Sequence, residues 1–118
     1  MDPQFVRFEA LEPFELASGV TGRPLFGTGA MINLIEFEPG AEVPLHSHPH
    51  EQLGLCLRGT QVLVVGGVEH PIEAMHGYVL PGGVEHSAYA GPEGATVVDV
   101  FQPVREDYRK RWQSLPEP

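Results

Sequence analysis

Short apolar runs separated by glycine- and proline-containing turns extend along most of this chain. The 14 glycines and 12 prolines are spread through the sequence as turn residues and do not cluster as a linker. Apolar runs between such turns are typical of short β-strands. They lie at residues 5–8, 31–37, 53–57, 62–65, 68–72, 78–80, 86–90 and 95–101. The pattern predicts an all-β barrel or jelly roll.

The turns between these runs carry further information. Gly66 and Gly67 stand between two valine-rich runs, and glycine accepts the positive φ of both central positions of a tight turn. We therefore predict a two-residue hairpin there. Further turns are predicted at residues 38–40, 58–60, 81–83 and 91–94.

Only the C-terminal segment has the charge pattern of a helix. Acidic Glu106 and Asp107 come early and basic residues 109–111 come late, an order that favours the helix dipole. Tyr108 and Trp112 are four residues apart and would form one apolar stripe that packs on the barrel or on a partner subunit. The sequence predicts a helix over about residues 104–115.

Size and charge limit the classes of function. A length of 118 residues predicts one domain over residues 1–118, and the net charge of −9 argues against nucleic acids and anionic membranes as partners. Cys56 is the single cysteine, so no disulfide can form within the chain. The sequence has neither a secretory signal pattern nor an apolar stretch of transmembrane length. We expect a cytoplasmic protein.

Four side chains could converge on one metal ion. His46 and His48 are two residues apart, and on a strand such residues share one face. Gln52 follows in the same segment, and His86 comes after the turn at residues 81–83. Neutral imidazole is a common ligand of zinc, iron and nickel. The spacing therefore indicates a metal site built from two separate segments.

These two segments resemble the paired motifs of the cupin superfamily. The first motif is matched at Gly40, His46, His48 and Gly59, with Gln52 where the family usually has glutamate. The second is matched at Pro81, Gly83 and His86, with a shorter spacing after Gly77 than the family commonly has. The resemblance implies a cupin double-stranded β-helix, a jelly-roll barrel with its core over about residues 30–103.

Three neutral imidazoles and one neutral amide add no negative charge to a divalent ion. The centre would keep about two positive charges, where a glutamate at position 52 would leave about one. Such a centre favours anionic ligands and stabilises an enolate. Closed structural zinc sites are mostly rich in cysteine. We therefore predict an open, functional site for one divalent transition metal ion, either zinc, nickel, iron or manganese.

The last predicted strand supplies candidates for the remaining chemistry. Val97, Asp99 and Phe101 share one face, which would place a carboxylate and an aromatic wall beside the metal. Asp99 is the candidate acid or base, and Arg105 could clamp a substrate carboxylate with its planar fork. On spacing alone, a surface aspartate and a solvated helix arginine remain open interpretations.

A closer resemblance covers residues 99–107 and 46–52, which are similar to the pectin-degradation cupins of the KdgF type. Those proteins convert ring-closed 4,5-unsaturated uronates to the linear keto form. The resemblance implies metal ligation by His46, His48, Gln52 and His86. It also implies a small anionic substrate at Asp99, Phe101 and Arg105, with isomerase or lyase chemistry. Two alternatives stay open: a dioxygenase that uses iron, nickel or copper, and a non-catalytic module that binds a small metabolite.

Parity after residue 52 separates two strand faces. One face carries Gln52, Gly54, Cys56 and Arg58, and the other carries Leu53, Leu55 and Leu57. If Gln52 faces the metal, Gly54 leaves open space beside it and the leucines face outward. Together with exposed sheet edges, an outward leucine face favours a homodimer.

The remaining titratable candidates have weaker signals. His70 and His76 are read as surface or core histidines, and Cys56 as a small buried hydrophobe. His50 shares the strand parity of the other site histidines, but Pro49 removes a backbone donor and favours a bend before it. A role for His50 as a ligand or substrate contact is left open.

Overall fold

The computed structural model describes residues 2–116 and consists mainly of antiparallel strands. A 3-10 helix at Phe8–Ala10 precedes β1 Phe14–Ala17, β2 Val20–Phe26, β3 Met31–Phe37, β4 Glu42–His46, β5 Glu51–Val65, β6 Val68–Glu73, β7 Gly77–Leu80, β8 His86–Gln102 and the helix α1 Glu106–Gln113. The sheet order is β1-β2-β3-β8-β5-β6, with β4 paired to β8 and β7 paired to β5. The all-β prediction with a short C-terminal helix is confirmed.

Two long strands connect the whole barrel. β5 has 15 residues and β8 has 17, and they pair with each other along most of their length. The turns predicted at residues 58–60 and 91–94 are wrong, because both strands continue through these positions as bulges. Gly59 and Gly94 have φ of 71° and 75°, and a side chain at Gly59 would collide with the Gly94 carbonyl oxygen. Glycine is needed at these positions because the two paired backbones approach each other closely at the bulge.

The N-terminal part of the sheet is the least visible in the sequence. The strand predicted at residues 5–8 is wrong: these side chains have no sheet partner, Phe5 is 92% exposed, and a 3-10 helix begins at Phe8. The structure instead has β1 and β2. The buried positions of β2 are Val20, Gly22 and Pro24, so this strand shows no apolar run. Gly22 is required because the side chain of Asn33 fills the space beside it.

The hairpin between β5 and β6 forms as predicted. Val65 pairs with Val68, and Gly66 and Gly67 have φ of 58° and 77°, which glycine adopts without strain. Within residues 2–116, no helix is both long and apolar enough to cross a membrane.

The helix α1 closes one end of the barrel. The Tyr108 ring packs edge-on against Phe14 and Phe101, with centroid distances of 5.5 and 5.8 Å. One turn later, Trp112 packs on Phe26 at 5.9 Å. The predicted stripe of Tyr108 and Trp112 therefore packs on the barrel, and it holds the end of β8 and the following residues over the interior.

Candidate metal centre and adjoining cavity

Three histidines from two segments meet at one end of the barrel. His46 is the last residue of β4, His86 is the first residue of β8, and the two pair across the ladder. His48 lies in the loop after β4, so the prediction that it shares a strand with His46 is wrong. The loop nevertheless returns His48 to the other two, and one ligand atom of each ring lies within 4.8 Å of the others.

Backbone carbonyls fix the orientation of all three rings. His46 Nδ1 lies 2.8 Å from Pro44 O, and His86 Nδ1 lies 2.9 Å from Val84 O. His48 Nδ1 lies 3.1 Å from the carbonyl oxygen of His50. A carbonyl oxygen only accepts, so each Nδ1 must donate its proton, and each neutral ring keeps a lone pair on Nε2. This is the tautomer that metal ligation through Nε2 requires.

Gln52 completes the cluster from β5. Its Oε1 lies 3.1 Å from His48 Nε2, and its Nε2 donates to Asp99 Oδ2 at 3.1 Å. The bond to the carboxylate fixes the amide, because only the NH₂ group can donate to Asp99. Oε1 and His48 Nε2 are then two acceptors that face each other, which is favourable when a cation lies between them. The donor set therefore fits a divalent metal ion.

Burial keeps two of the histidines neutral. Desolvation lowers the pKa of His48 to about 4, with smaller contributions from the charges of Arg105 and His86. Desolvation also lowers the pKa of His86. Both imidazoles are therefore free to ligate at neutral pH.

Asp99 lies beside this cluster and is 3% exposed. Tyr78 Oη donates to Asp99 Oδ1 at 2.6 Å, while Gln52 binds the other carboxylate oxygen. Burial raises the pKa of Asp99 to about 6, although the hydrogen bonds from Tyr78 and Gln52 and the charge of Arg105 oppose the rise. A carboxyl group with this pKa can both take and give a proton near neutral pH.

The space predicted beside Gly54 is filled by Tyr78. The two residues pair between β5 and β7, and a side chain at Gly54 would overlap the Tyr78 ring. Gly54 thus lets the phenol reach Asp99 inside the barrel. Sequence reasoning did not assign Tyr78 to the site. The signal that could have found it is a glycine at an inward position of β5, opposite an aromatic residue.

Arg105 is 7% exposed and lies between β8 and α1. Its Nε and Nη2 donate to the two carboxylate oxygens of Asp107 at 3.0 and 2.8 Å. Its Cζ lies 3.9 Å from the ring centroid of Tyr108 and 5.1 Å from that of Phe101. Within the described residues, the buried Nη1 has no hydrogen-bond partner. Asp107 takes one edge of the guanidinium and Nη1 on another edge is unpaired, so the clamp on a substrate carboxylate stays a prediction.

A cavity of about 260 Å³ joins these groups. Its lining includes six of the seven predicted site residues, namely His46, Gln52, His86, Asp99, Phe101 and Arg105. The seventh, His48, is not part of the lining. Phe101 is 1% exposed, and its ring lies edge-on to His48 at 5.6 Å, so it forms the expected aromatic wall. Apolar side chains line most of the rest, together with Gln61, Asp107, Tyr108 and Arg111.

The other candidates lie outside the cluster. His50 supports His48 through its backbone carbonyl, while its buried Nδ1 has no partner among residues 2–116. His70 and His76 are exposed, and Cys56 is fully buried. Arg58, predicted to face inward, is exposed and contacts Thr96, because the bulge after Cys56 shifts the register of β5.

Comparison with known proteins agrees with this architecture. Residues 33–101, more than half of the chain, match the sequence profile of the cupin domain. The dimethylsulfoniopropionate lyase DddW of Ruegeria pomeroyi is 36% identical over 64 residues, which are 54% of this chain and 42% of that enzyme. The match thus spans less than half of the enzyme's length.

Two solved structures match nearly the whole chain. An RmlC-like cupin from Shewanella frigidimarina has a TM-score of 0.82 at 30% identity, over 91% of this chain and 96% of that one. KdgF from Halomonas sp. has a TM-score of 0.83 at 22% identity, over 91% of this chain and 99% of that one. The second likeness concerns the fold. With the profile match and the shared barrel, the chain belongs to the cupin family.

Proposed function

We propose that this cupin is a metal-dependent isomerase or lyase that acts on a small, anionic, enolisable sugar acid. Ketonisation of a 4,5-unsaturated uronate is the leading reaction. The observation that carries the proposal is the position of Asp99: its Oδ2 binds Gln52, whose Oε1 lies 3.1 Å from His48 Nε2. The candidate base thus contacts Gln52, which is itself a candidate metal ligand.

The charges of the cavity support an anionic substrate. Arg105 and Arg111 line it, and the ligands His46, Gln52 and His86 add no negative charge. Two carboxylates also line the cavity: Asp107 is paired with Arg105, and Asp99, whose pKa burial raises to about 6, is the candidate base. The unpaired Nη1 of Arg105 is the donor that we assign to a substrate carboxylate.

When bound, a divalent ion would polarise a substrate carbonyl and stabilise the enolate oxygen. Asp99 takes the proton of the hemiacetal hydroxyl as the ring C–O bond breaks and the enolate forms. It then gives that proton to carbon 4, which leaves the ketone. Tyr78 and Gln52 hold the carboxylate in place for both steps, and Phe101 shields it from water.

A second reaction of the same class has its own support. The 36% identity to a dimethylsulfoniopropionate lyase favours elimination from a small carboxylic acid. A lyase of that kind also needs a base that removes a proton near a carboxylate, which is the role assigned to Asp99.

The test is an anaerobic assay with metal-loaded protein. A 4,5-unsaturated uronate and dimethylsulfoniopropionate are incubated separately with the wild type and with Asp99→Asn, and the loss of each substrate is followed. We expect the wild type to convert the uronate without oxygen and the variant to be at least about 10²-fold slower.

The other outcomes separate the alternatives. Conversion of dimethylsulfoniopropionate alone would indicate that the protein is a lyase for that substrate and not a uronate isomerase. A strict oxygen requirement would instead indicate a dioxygenase that uses iron, nickel or copper. No conversion of any enolisable acid, with metal bound, would leave a non-catalytic binding module. The identity of the metal is tested by elemental analysis of the purified protein, for which we expect zinc, nickel, iron or manganese.

We also propose that the protein forms a homodimer through the outer face of the sheet. Leu53 pairs laterally with Val79 and Val100, and Leu55 pairs with Val98, so apolar side chains are continuous across β7, β5 and β8. An apolar patch that spans several strands is typical of an interaction surface. The proposed occupant is a second copy of this chain, since these lateral pairs consist of uncharged side chains that a symmetric contact can bury without burying a charge. The cytoplasmic location stays a prediction.

A further inference from the structure

Much of the cavity lining is apolar, and one buried amide within it has no role in the proposed reaction. Gln61 on β5 lines the cavity and is 3% exposed. The apolar part of the lining includes Ile35, Phe37, Leu63 and Ala88, all buried members of the hydrophobic core. Arg105, Asp107 and the exposed Arg111 line the cavity too. A molecule in this cavity therefore meets cationic groups at Arg105 and Arg111 and an amide at Gln61.

The hydrogen-bond network fixes the direction of that amide. Tyr78 Oη donates its only proton to Asp99 Oδ1 at 2.6 Å, so it can only accept from a second partner. The side chains of Gln61 and Gln52 both lie close enough to the Tyr78 hydroxyl to donate to it. A Gln61 amide that contacts this hydroxyl must direct its NH₂ group to Tyr78, so its Oε1 points away from Tyr78.

Gln61 Oε1 is left unsatisfied. In the part of the chain that the structure describes, this buried oxygen has no hydrogen-bond partner. Buried polar groups in folded proteins are nearly all paired, so an unpaired acceptor in the wall of a ligand cavity needs an explanation. Asp99 thus orients two glutamines: Gln52 Oε1 is directed toward the metal ligands, and Gln61 Oε1 is free for another donor.

We propose that Gln61 Oε1 is a specificity site that accepts a hydrogen bond from a hydroxyl group of the substrate. The substrate is then a hydroxylated carboxylic acid, with its carboxylate toward Arg105 and a hydroxyl toward Gln61. This inference rests on the proposed function and narrows its substrate class. It favours a sugar acid over dimethylsulfoniopropionate, which has no hydrogen-bond donor.

The test uses binding, so that it does not depend on turnover. Zinc-loaded protein is titrated by NMR with three matched pairs: propanoate and 3-hydroxypropanoate, butanoate and 4-hydroxybutanoate, pentanoate and 5-hydroxypentanoate. We expect one chain length at which the hydroxy acid binds about five- to tenfold more tightly than its parent, because only that hydroxyl reaches Gln61. Gln61→Met is nearly isosteric and should reduce this ratio to about one. The matched control is Leu63→Met, which lies in the same wall and should keep the ratio.

Two results would overturn the site. One is equal binding of acid and hydroxy acid by the wild type at every chain length, which needs no variant to fold. The other is an unchanged ratio in folded Gln61→Met. Failure of the proposed function is separate: a hydroxyl preference without conversion of any acid leaves the Gln61 site standing, whereas uronate conversion without a hydroxyl preference removes only the site.

Discussion

Gln52 and Leu53 are neighbours on β5, yet Gln52 is 6% exposed and Leu53 is 41% exposed. The alternation continues along the strand, since Cys56 is fully buried while Leu55 and Leu57 are 36% and 43% exposed. In a sheet with one face in water, the leucines would face the core and the glutamine the solvent. β5 has the opposite arrangement near the site.

The inner polar residues are stable there because they bind one another. Gln52 and Tyr78 both donate to Asp99, and the nearby histidines donate to backbone carbonyls. Burial of an unpaired amide or carboxylate would cost about 1–3 kcal/mol or more, whereas a satisfied network costs little. The inner face of β5 therefore depends on hydrogen-bond partners, whereas the outer face is a surface of exposed apolar side chains. The two faces should therefore respond to different substitutions.

Removal of a histidine from the inner face should have the largest effect. We expect His46→Ala to lose stoichiometric divalent metal, because the cluster keeps only two imidazoles and an amide. Elemental analysis measures the metal, and the metal-dependent rise in Tm should disappear with it. His70→Ala is the control, since His70 is exposed on β6. Full metal content in His46→Ala would remove the assigned site.

Asp99→Asn should reduce turnover by about 10² or more, since it removes the base. The structure adds an effect on the metal. An asparagine at position 99 that still accepts from Tyr78 would present its NH₂ group to Gln52. The Gln52 amide must then turn, so that its NH₂ group and not its oxygen faces His48. Loss of the bond that orients a metal ligand typically weakens metal binding by about 10- to 100-fold. A competitive chelator titration measures this, and unchanged affinity would show that Asp99 does not orient Gln52.

The raised pKa of Asp99 predicts a pH dependence of stability in the metal-free protein. Folded Asp99 has a pKa of about 6, above its ordinary value of 3.8, so the folded state binds the proton more strongly between these values. The free energy of unfolding should therefore fall as pH rises from about 4 to above 6, by about 2–3 kcal/mol from this group. Urea unfolding in chelator at both pH values measures it. The reference is Asp99→Asn, and an identical pH dependence in both proteins would contradict the burial of this charge.

The sequence predicted the fold because its strands carry apolar runs and its site carries two motifs. His46, Gln52, His86 and Asp99 were placed correctly near one another, since motif spacing and strand parity constrain them locally. Arg105 was predicted at the cavity, but its pairing with Asp107 depends on how α1 begins. That turn is a tertiary feature that no local pattern specifies.

The errors share a physical origin. Gly59 and Gly94 were interpreted as turn residues because glycine favours positive φ in both turns and bulges. β2 was missed because Gly22 and Pro24 fill buried positions that usually hold large apolar residues. Tyr78 and Gln61 were missed because their contacts join strands far apart in sequence. Long-range pairings of this kind require the register of the barrel.

The outer face should give the smallest effect on chemistry. Leu55→Lys changes a side chain that is 36% exposed, so we expect its cost to the stability of one protomer to be within about 0.5 kcal/mol. Metal content and turnover should be unchanged, because no polar group of the inner network contacts this face. If two copies pack through the leucines, a buried lysine on each side is costly, and sedimentation should show the mass fall from dimer to monomer. Leu45→Lys is the matched control, since Leu45 is an exposed leucine on β4 and should leave the mass unchanged. An unchanged mass in Leu55→Lys would mean that the interface lies elsewhere or that the protein is a monomer. A loss of metal in this variant would instead contradict the independence of the two faces of β5.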